Sequence, residues 1–199
     1  EVGITGNYGP EAVNDEVFEE LHLGDAIAKE VQFTWAAFLR MAESREAAGE
    51  SIYAALFDAA PSLQSLFKTP RAVMAMRFMN GVGQIINSLH DPKACKVIVE
   101  TLGFQHLDLE VTVPRVDIFR EAIMELLQME LGDALSPRAR DGWCTFLNYV
   151  GGAYIYVRVK YAERLKCIAA SWTLANGKSS ELEGENGEGE GSGSHDAEE

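Results

Sequence analysis

The sequence predicts an all-α fold, and three observations predict it. Apolar residues recur every three or four positions from about residue 25 onward, which is the spacing of one buried helix face. Residues that cap helices precede proline at several junctions between these stretches, as at Asp91-Pro92 and Ser136-Pro137. Residues 154–161 could be mistaken for a strand, but their place within a long helical pattern favours a helix.

The first two helices each have one apolar face. In the first helix this face comprises Ile27, Val31, Trp35 and Phe38. In the second it comprises Ile52, Leu56 and Phe57. Pro61 predicts that the second helix stops at Ala60, because a proline disfavours helical geometry in the residue before it. A turn-like piece over residues 62–67 follows, and Thr69-Pro70 is predicted to start the third helix with Thr69 as its cap.

The remaining helices are longer and more apolar. The third presents Met74, Phe78, Met79, Val82, Ile85, Ile86 and Leu89. Asp91-Pro92 starts the fourth helix, which leads to His106, and Val113-Pro114 starts the fifth. The last helix presents Trp143, Phe146, Leu147, Val150, Tyr154 and Val157. Its Gly151-Gly152 pair predicts a bend or a close contact.

Composition indicates one domain with tails. The chain has 199 residues, 47% of them hydrophobic, which is enough to bury a core. Its formal charge of −14 disfavours a nucleic-acid partner. Three cysteines without CxxC spacing argue against a disulfide framework or a zinc site and favour a reducing, cytoplasmic location. The sequence has no apolar run that predicts a membrane span or a signal peptide.

The predicted domain covers residues 25–162, after an N-terminal extension of residues 1–24. The last helix continues to about residue 176, so residues 163–176 form a helical extension that offers a surface for a homodimer. Residues 177–199 carry eight acidic residues against one lysine and are rich in glycine and serine. A segment with so few apolar residues cannot offset the entropy of ordering, so it is predicted to be a disordered acidic tail.

Four spaced motifs resemble those of the globin family over roughly residues 25–161. They are FTWAAF at 33–38, GESIYAALFDAAPSLQSLF at 49–67, ETLGFQH at 100–106, and LGDALSP at 131–137 followed by Trp143. Their order and separation make the resemblance specific. It implies a globin fold, a three-over-three helical sandwich, here with an extended last helix and a disordered acidic tail. It also implies haem b (iron protoporphyrin IX) as the cofactor.

The resemblance assigns site residues on both sides of the haem. On the proximal side, where the protein ligates the iron, it implies His106 as the iron ligand and Leu102 and Val113 as lining residues. An imidazole placed after a helix, four residues beyond Leu102, is one way for a helical protein to present an axial ligand. Phe67 is implied as the ring packed against the porphyrin. Tyr53 is implied as a hydrogen-bond donor on the opposite, distal side, where a gas binds.

The distal side departs from the family's pattern. Met74 falls where many globins have a distal histidine or glutamine, and Phe78 lies one turn later above the ring. Two interpretations of Met74 stay open: a sixth iron ligand, or apolar filling of a tight pocket. Arg77 is a candidate partner for a haem propionate or a solvated surface residue. Lys96 and Arg115 are further propionate candidates.

The resemblance implies that a diatomic gas (dioxygen, carbon monoxide or nitric oxide) binds at a His-ligated iron. Oxygen binding or transport is one expectation, and nitric oxide dioxygenation is another if an external electron donor reduces the iron. Whether the protein is an enzyme stays open. Two alternatives are a haem-based redox or gas sensor and a haem-free, globin-like module that binds a partner.

Overall fold

A computed structural model describes residues 6–66 and 69–185 of the chain. Six α-helices account for most of these residues, and the described part contains no β-strand, so the all-α prediction is confirmed. The helices are α1 (Asp25–Met41), α2 (Arg45–Ala59), α3 (Arg71–Asn87), α4 (Pro92–Gln105), α5 (Val113–Leu131) and α6 (Pro137–Glu185). Short 3-10 helices cover Pro61–Leu66 and Gly132–Ala134.

The chain divides into two units, Glu1–Val159 and Lys160–Glu199. The first unit contains α1 to α5 and the beginning of α6, and it includes every residue that the resemblance assigns to the haem site. The second unit is described as far as Glu185, and its described part is helical.

Two helix starts, those of α4 and α6, follow the capping residues that the sequence indicates. The Asp91 carboxylate accepts a hydrogen bond from the Ala94 amide at 3.1 Å, and the Ser136 hydroxyl accepts one from the Ala139 amide at 3.0 Å. The prediction for Thr69-Pro70 was wrong by one residue. Helix α3 begins at Arg71, and Pro70 is itself the N-cap residue, with an extended ψ of 137° and no side-chain cap.

The core of the first unit forms around two tryptophans that are far apart in the sequence. Trp35 of α1 and Trp143 of α6 are both buried, with ring centroids 6.0 Å apart. The Trp143 indole donates a hydrogen bond to the Thr34 hydroxyl at 2.8 Å, which satisfies the polar atoms of both buried side chains. These contacts fix α1 against α6.

The N-terminal segment packs into the same core. Tyr8, Phe18 and Leu21 are buried in the main apolar cluster. The backbone of Glu19 joins two tyrosines: its amide donates to the Tyr8 hydroxyl at 2.7 Å, and its carbonyl accepts from the Tyr149 hydroxyl at 3.0 Å. Residues 6–24 have no helical periodicity, so no pattern in this segment predicts the packing.

Helix α6 extends further than predicted. It ends at Glu185 and so includes residues 177–185 of the predicted acidic tail, whose disorder stays a prediction. Extending an existing helix avoids the nucleation cost, and lysine, glutamate and leucine in this stretch have good helix propensity. The rest of the predicted tail, residues 186–199, lies outside the described residues. Among the described helices, none has both the length and the apolar character needed to cross a bilayer.

Candidate functional site

His106 lies directly after the last residue of α4, at its C-cap. Its Nδ1 atom is 2.6 Å from the backbone carbonyl oxygen of Leu102. Because a carbonyl oxygen only accepts hydrogen bonds, Nδ1 is the donor, and in the neutral imidazole Nε2 keeps a free lone pair. Histidines that bind metals are typically anchored in this way through their other ring nitrogen. His106 therefore has the local geometry of an imidazole that can bind a metal through Nε2.

A second contact with His106 comes from α6. The Tyr154 ring is stacked on the imidazole, with ring centroids 4.7 Å apart and an angle of 21° between the planes. Burial raises the pKa of Tyr154, so the phenol stays neutral. The sequence suggested only that Tyr154 belongs to the apolar face of the last helix, because helical spacing does not reveal which core ring touches a histidine.

Gly103 allows this approach of α6 to α4. A Cβ atom on Gly103 would lie 3.5 Å from Cδ1 of Tyr154 and 3.3 Å from Cγ2 of Val157. The second distance is tighter than most contacts of a Cβ atom, so a larger residue would require the Val157 side chain to shift by a few tenths of an ångström. The absence of a side chain at Gly103 thus positions Tyr154 beside His106.

A separate aromatic cluster lies between α2, α3 and α5. Tyr53, Leu56 and Ala75 are its buried members, and Phe57, Leu63, Met74, Phe78, Ile118 and Phe119 pack against them. We call these nine residues the Tyr53 cluster. The structure therefore brings together the three residues that the resemblance assigns to the distal side, namely Tyr53, Met74 and Phe78.

Aromatic contacts organise the Tyr53 cluster. The Tyr53 ring is stacked on Phe57 and meets Phe78 edge to face, with a centroid distance of 5.8 Å in each case. Phe78 in turn meets Phe119 edge to face at 5.8 Å. Burial raises the pKa of Tyr53 to about 12, so its hydroxyl keeps its proton at neutral pH. The cluster is thus apolar but includes one hydroxyl group.

Helices α2 and α3 cross closely beside this cluster. A Cβ atom on Gly49 would lie 2.9 Å from Cβ of Ala75 and 3.0 Å from its carbonyl oxygen. The Arg45 guanidinium also spans the two helices and donates to the Met79 carbonyl at 2.9 Å. The crossing brings Tyr53, one turn after Gly49, towards the α3 residues that flank Ala75.

Helix α3 also faces α4. A Cβ atom on Gly81 would lie 3.7 Å from both terminal methyl groups of Leu102, the residue whose carbonyl holds His106. Val113, the first residue of α5, is half-buried. These residues fit a haem by their chemistry: the imidazole has an anchored inner nitrogen, and the Tyr53 cluster is apolar and aromatic with one hydroxyl.

The predicted propionate partners have different environments. Arg77 is exposed on α3. The Lys96 ammonium lies over the Phe18 ring, 5.2 Å from its centroid. Arg115 donates to the Glu110 carbonyl and lies 3.7 Å from the Glu110 carboxylate. Phe67, assigned by resemblance to the porphyrin face, lies outside the described residues.

Comparison with known proteins identifies the family of this chain. The family model described as Globin matches residues 50–154, which is more than half of the chain and extends from α2 to the Tyr154 position in α6. A search of curated proteins finds no match. With its all-α fold and this match, the chain belongs to the globin family, whose members generally bind haem.

Proposed function

We propose that this protein binds haem b through Nε2 of His106 and binds a diatomic gas on the side of the Tyr53 cluster. The observation that carries the proposal is the 2.6 Å contact between Nδ1 of His106 and the Leu102 carbonyl. This contact selects the neutral tautomer that leaves Nε2 available, and it anchors the ring through Nδ1. Membership of the globin family supports haem as the cofactor.

The haem supplies a ferrous iron that binds dioxygen, carbon monoxide or nitric oxide. The chain supplies the environment of that ligand. Tyr53 offers one hydroxyl donor, which its raised pKa keeps protonated. Phe57 and Phe78 flank this ring and exclude water.

Met74 is proposed as apolar filling of the same pocket. It is half-buried and packs against the buried residues Tyr53, Leu56 and Ala75. A thioether in such surroundings fills irregular space well. Nitric oxide dioxygenation would use the same Tyr53 donor and would also require an external electron donor, so the proposal is restricted to ligand binding.

Titration of the purified full chain with haem tests this proposal. We expect a saturable Soret absorption band at one haem per chain, which shifts when carbon monoxide is added to the reduced protein. A band that grows without saturation, or does not respond to carbon monoxide, would contradict the proposal. It would favour the alternative of a haem-free module that binds a partner.

We also propose that the second unit joins two copies of the chain. Within this unit, α6 exposes three apolar residues at spacings of three and four, namely Leu165, Ile168 and Trp172, which we call the C-terminal stripe. Ile168 and Trp172 are 56% and 69% exposed. A continuous apolar stripe with this spacing is typical of helices that pair with another helix.

Charge favours a second copy in antiparallel orientation as the partner. Residues 160–166 contain three basic residues and one acidic residue. A parallel pair would place the basic residues of one copy beside those of the other, which is unfavourable. An antiparallel pair aligned on the C-terminal stripe avoids this contact, because residues 160–166 of one copy then lie beside residues 171–177 of the other, which carry no charge.

A further inference from the structure

Two contacts hold the His106 side chain, and they restrain different motions of the imidazole. The Leu102 carbonyl accepts a hydrogen bond from Nδ1 and restrains the imidazole within its own plane. The Tyr154 ring lies against the face of the imidazole at 4.7 Å and restrains its rotation about the Cβ–Cγ bond. The two contacts together define a single ring orientation.

The backbone around His106 restrains the imidazole less than these two contacts do. His106 is the C-cap residue of α4, with φ −109° and ψ 12°, and its amide donates to the Gly103 carbonyl at 3.1 Å. Residues 106–109 continue as a turn, so no further helical turn packs over the imidazole from its own helix. Beyond the hydrogen bond to Leu102, contacts from other elements must therefore set the direction of the ring.

Tyr154 is well placed for this purpose, because it is itself confined. It lies in the part of α6 that belongs to the first unit, and it packs against the main apolar cluster. Gly103 leaves just enough space for Tyr154 and Val157 to lie against α4. The ring of Tyr154 thus has little freedom to move away from His106.

We propose that Tyr154 is a positioning residue for the haem ligand: its ring fixes the plane of the His106 imidazole relative to the haem. This inference rests on the proposed role of His106 as the iron ligand. The orientation of an axial imidazole affects the strength of its bond to iron, and a ring free to rotate would sample several orientations. Tyr154 acts through stacking, so an unsubstituted phenyl ring should serve equally well.

The test uses the full chain loaded with haem, in the reduced and gas-free state. The variants are Tyr154→Phe, which keeps the ring, and Tyr154→Leu, which removes it. Tyr156→Leu is the matched control, because Tyr156 lies on the same helix and packs against Phe18. The readouts are the iron–histidine stretching band in resonance Raman spectra and the rate of haem transfer to an apoprotein acceptor.

We expect Tyr154→Phe and Tyr156→Leu to resemble the wild type. Tyr154→Leu should shift or broaden the iron–histidine band and release haem roughly threefold to tenfold faster, in line with the loss of one aromatic stacking contact. A Tyr154→Leu protein with the same band and release rate as Tyr156→Leu would overturn the inference. Absence of the band in the wild type would instead contradict the assignment of His106 as ligand, and with it the role of Tyr154.

A second measurement needs no variant and therefore does not depend on how Tyr154→Leu folds. In the diamagnetic carbon-monoxide complex of the wild type, we expect nuclear Overhauser contacts between the ring protons of Tyr154 and those of His106. Their presence would support the stacking in the haem-loaded protein. Their absence, with both sets of protons assigned, would refute it.

Discussion

Gly49 and Ala75 mark the closest approach of α2 and α3 beside the Tyr53 cluster. A Cβ atom on Gly49 would lie 2.9 Å from the Cβ atom of Ala75, closer than side-chain carbons pack. The residues that the proposal assigns to the gas pocket, Tyr53 on α2 and Met74 and Phe78 on α3, lie close to this crossing. Their relative position therefore depends on a glycine that has no direct role in the pocket.

Gly49→Ala and Gly81→Ala should change stability in opposite directions. The first forces α2 away from α3 and should lower the free energy of unfolding by about 1–3 kcal/mol. At Gly81 an added Cβ would lie 3.7 Å from the Leu102 methyl groups, which is an ordinary contact. The better helix propensity of alanine should therefore raise the free energy of unfolding by about 0.5–1 kcal/mol. Urea unfolding measures both, and a stabilised Gly49→Ala protein would contradict the close crossing.

Tyr53→Phe should speed the release of dioxygen from the haem-loaded protein by about tenfold, if one hydrogen bond of about 1.4 kcal/mol is lost. The pKa of about 12 predicts that release from the wild type is independent of pH between 6 and 9, because the phenol stays protonated there. Stopped-flow replacement of dioxygen by carbon monoxide measures the rate. Tyr156→Phe is the control outside the cluster, and equal rates for the two variants would exclude Tyr53 as the donor.

Met74→Leu distinguishes apolar filling from iron ligation. The substitution conserves volume and removes the sulfur, so a filling residue should leave the absorption spectra of the ferric and reduced forms unchanged. Stability should change by less than about 1.5 kcal/mol. A change in the reduced spectrum, from that of a six-coordinate to that of a five-coordinate iron, would show that Met74 is a ligand.

Ile168→Glu should weaken self-association of the chain, because it places a charge within the C-terminal stripe. Leu174→Glu is the matched control: Leu174 is 68% exposed on the same helix but lies outside the stripe. Sedimentation equilibrium should give a dissociation constant at least tenfold higher for Ile168→Glu than for the control. A wild type that stays monomeric at all concentrations, or equal constants for the two variants, would refute the paired helix.

Helical periodicity predicted the architecture because each helix of the first unit buries one continuous face. The stripe of α1, with Trp35 and Phe38, and the apolar face of α6, with Trp143 and Phe146, pack together in the core. Capping chemistry at Asp91 and Ser136 predicted two helix starts, since those side chains satisfy amides within three residues. Both signals depend on residues that are close together in the sequence, so the sequence alone predicts them.

Contacts between segments that are far apart in the sequence could not be predicted in the same way. The packing of Tyr8 and Phe18 into the core depends on an irregular chain path without periodicity. The stacking of Tyr154 on His106 joins residues on two helices, and either ring alone has an ordinary core position in the sequence. For the site, the resemblance indicated which residues belong together, whereas the geometry around His106 came only from the structure.

Replacement of His106 distinguishes an iron ligand from a histidine with only a structural role. The absorption spectrum of reduced, carbon-monoxide-treated His106→Ala should be compared with that of His90→Ala, whose histidine bonds to the Gln32 side chain on the surface. We predict that His90→Ala keeps one tightly bound haem per chain with the wild-type spectrum, while His106→Ala loses haem or binds it weakly with an altered Soret band. A wild-type spectrum at full occupancy in His106→Ala would contradict the assignment of His106 as the iron ligand.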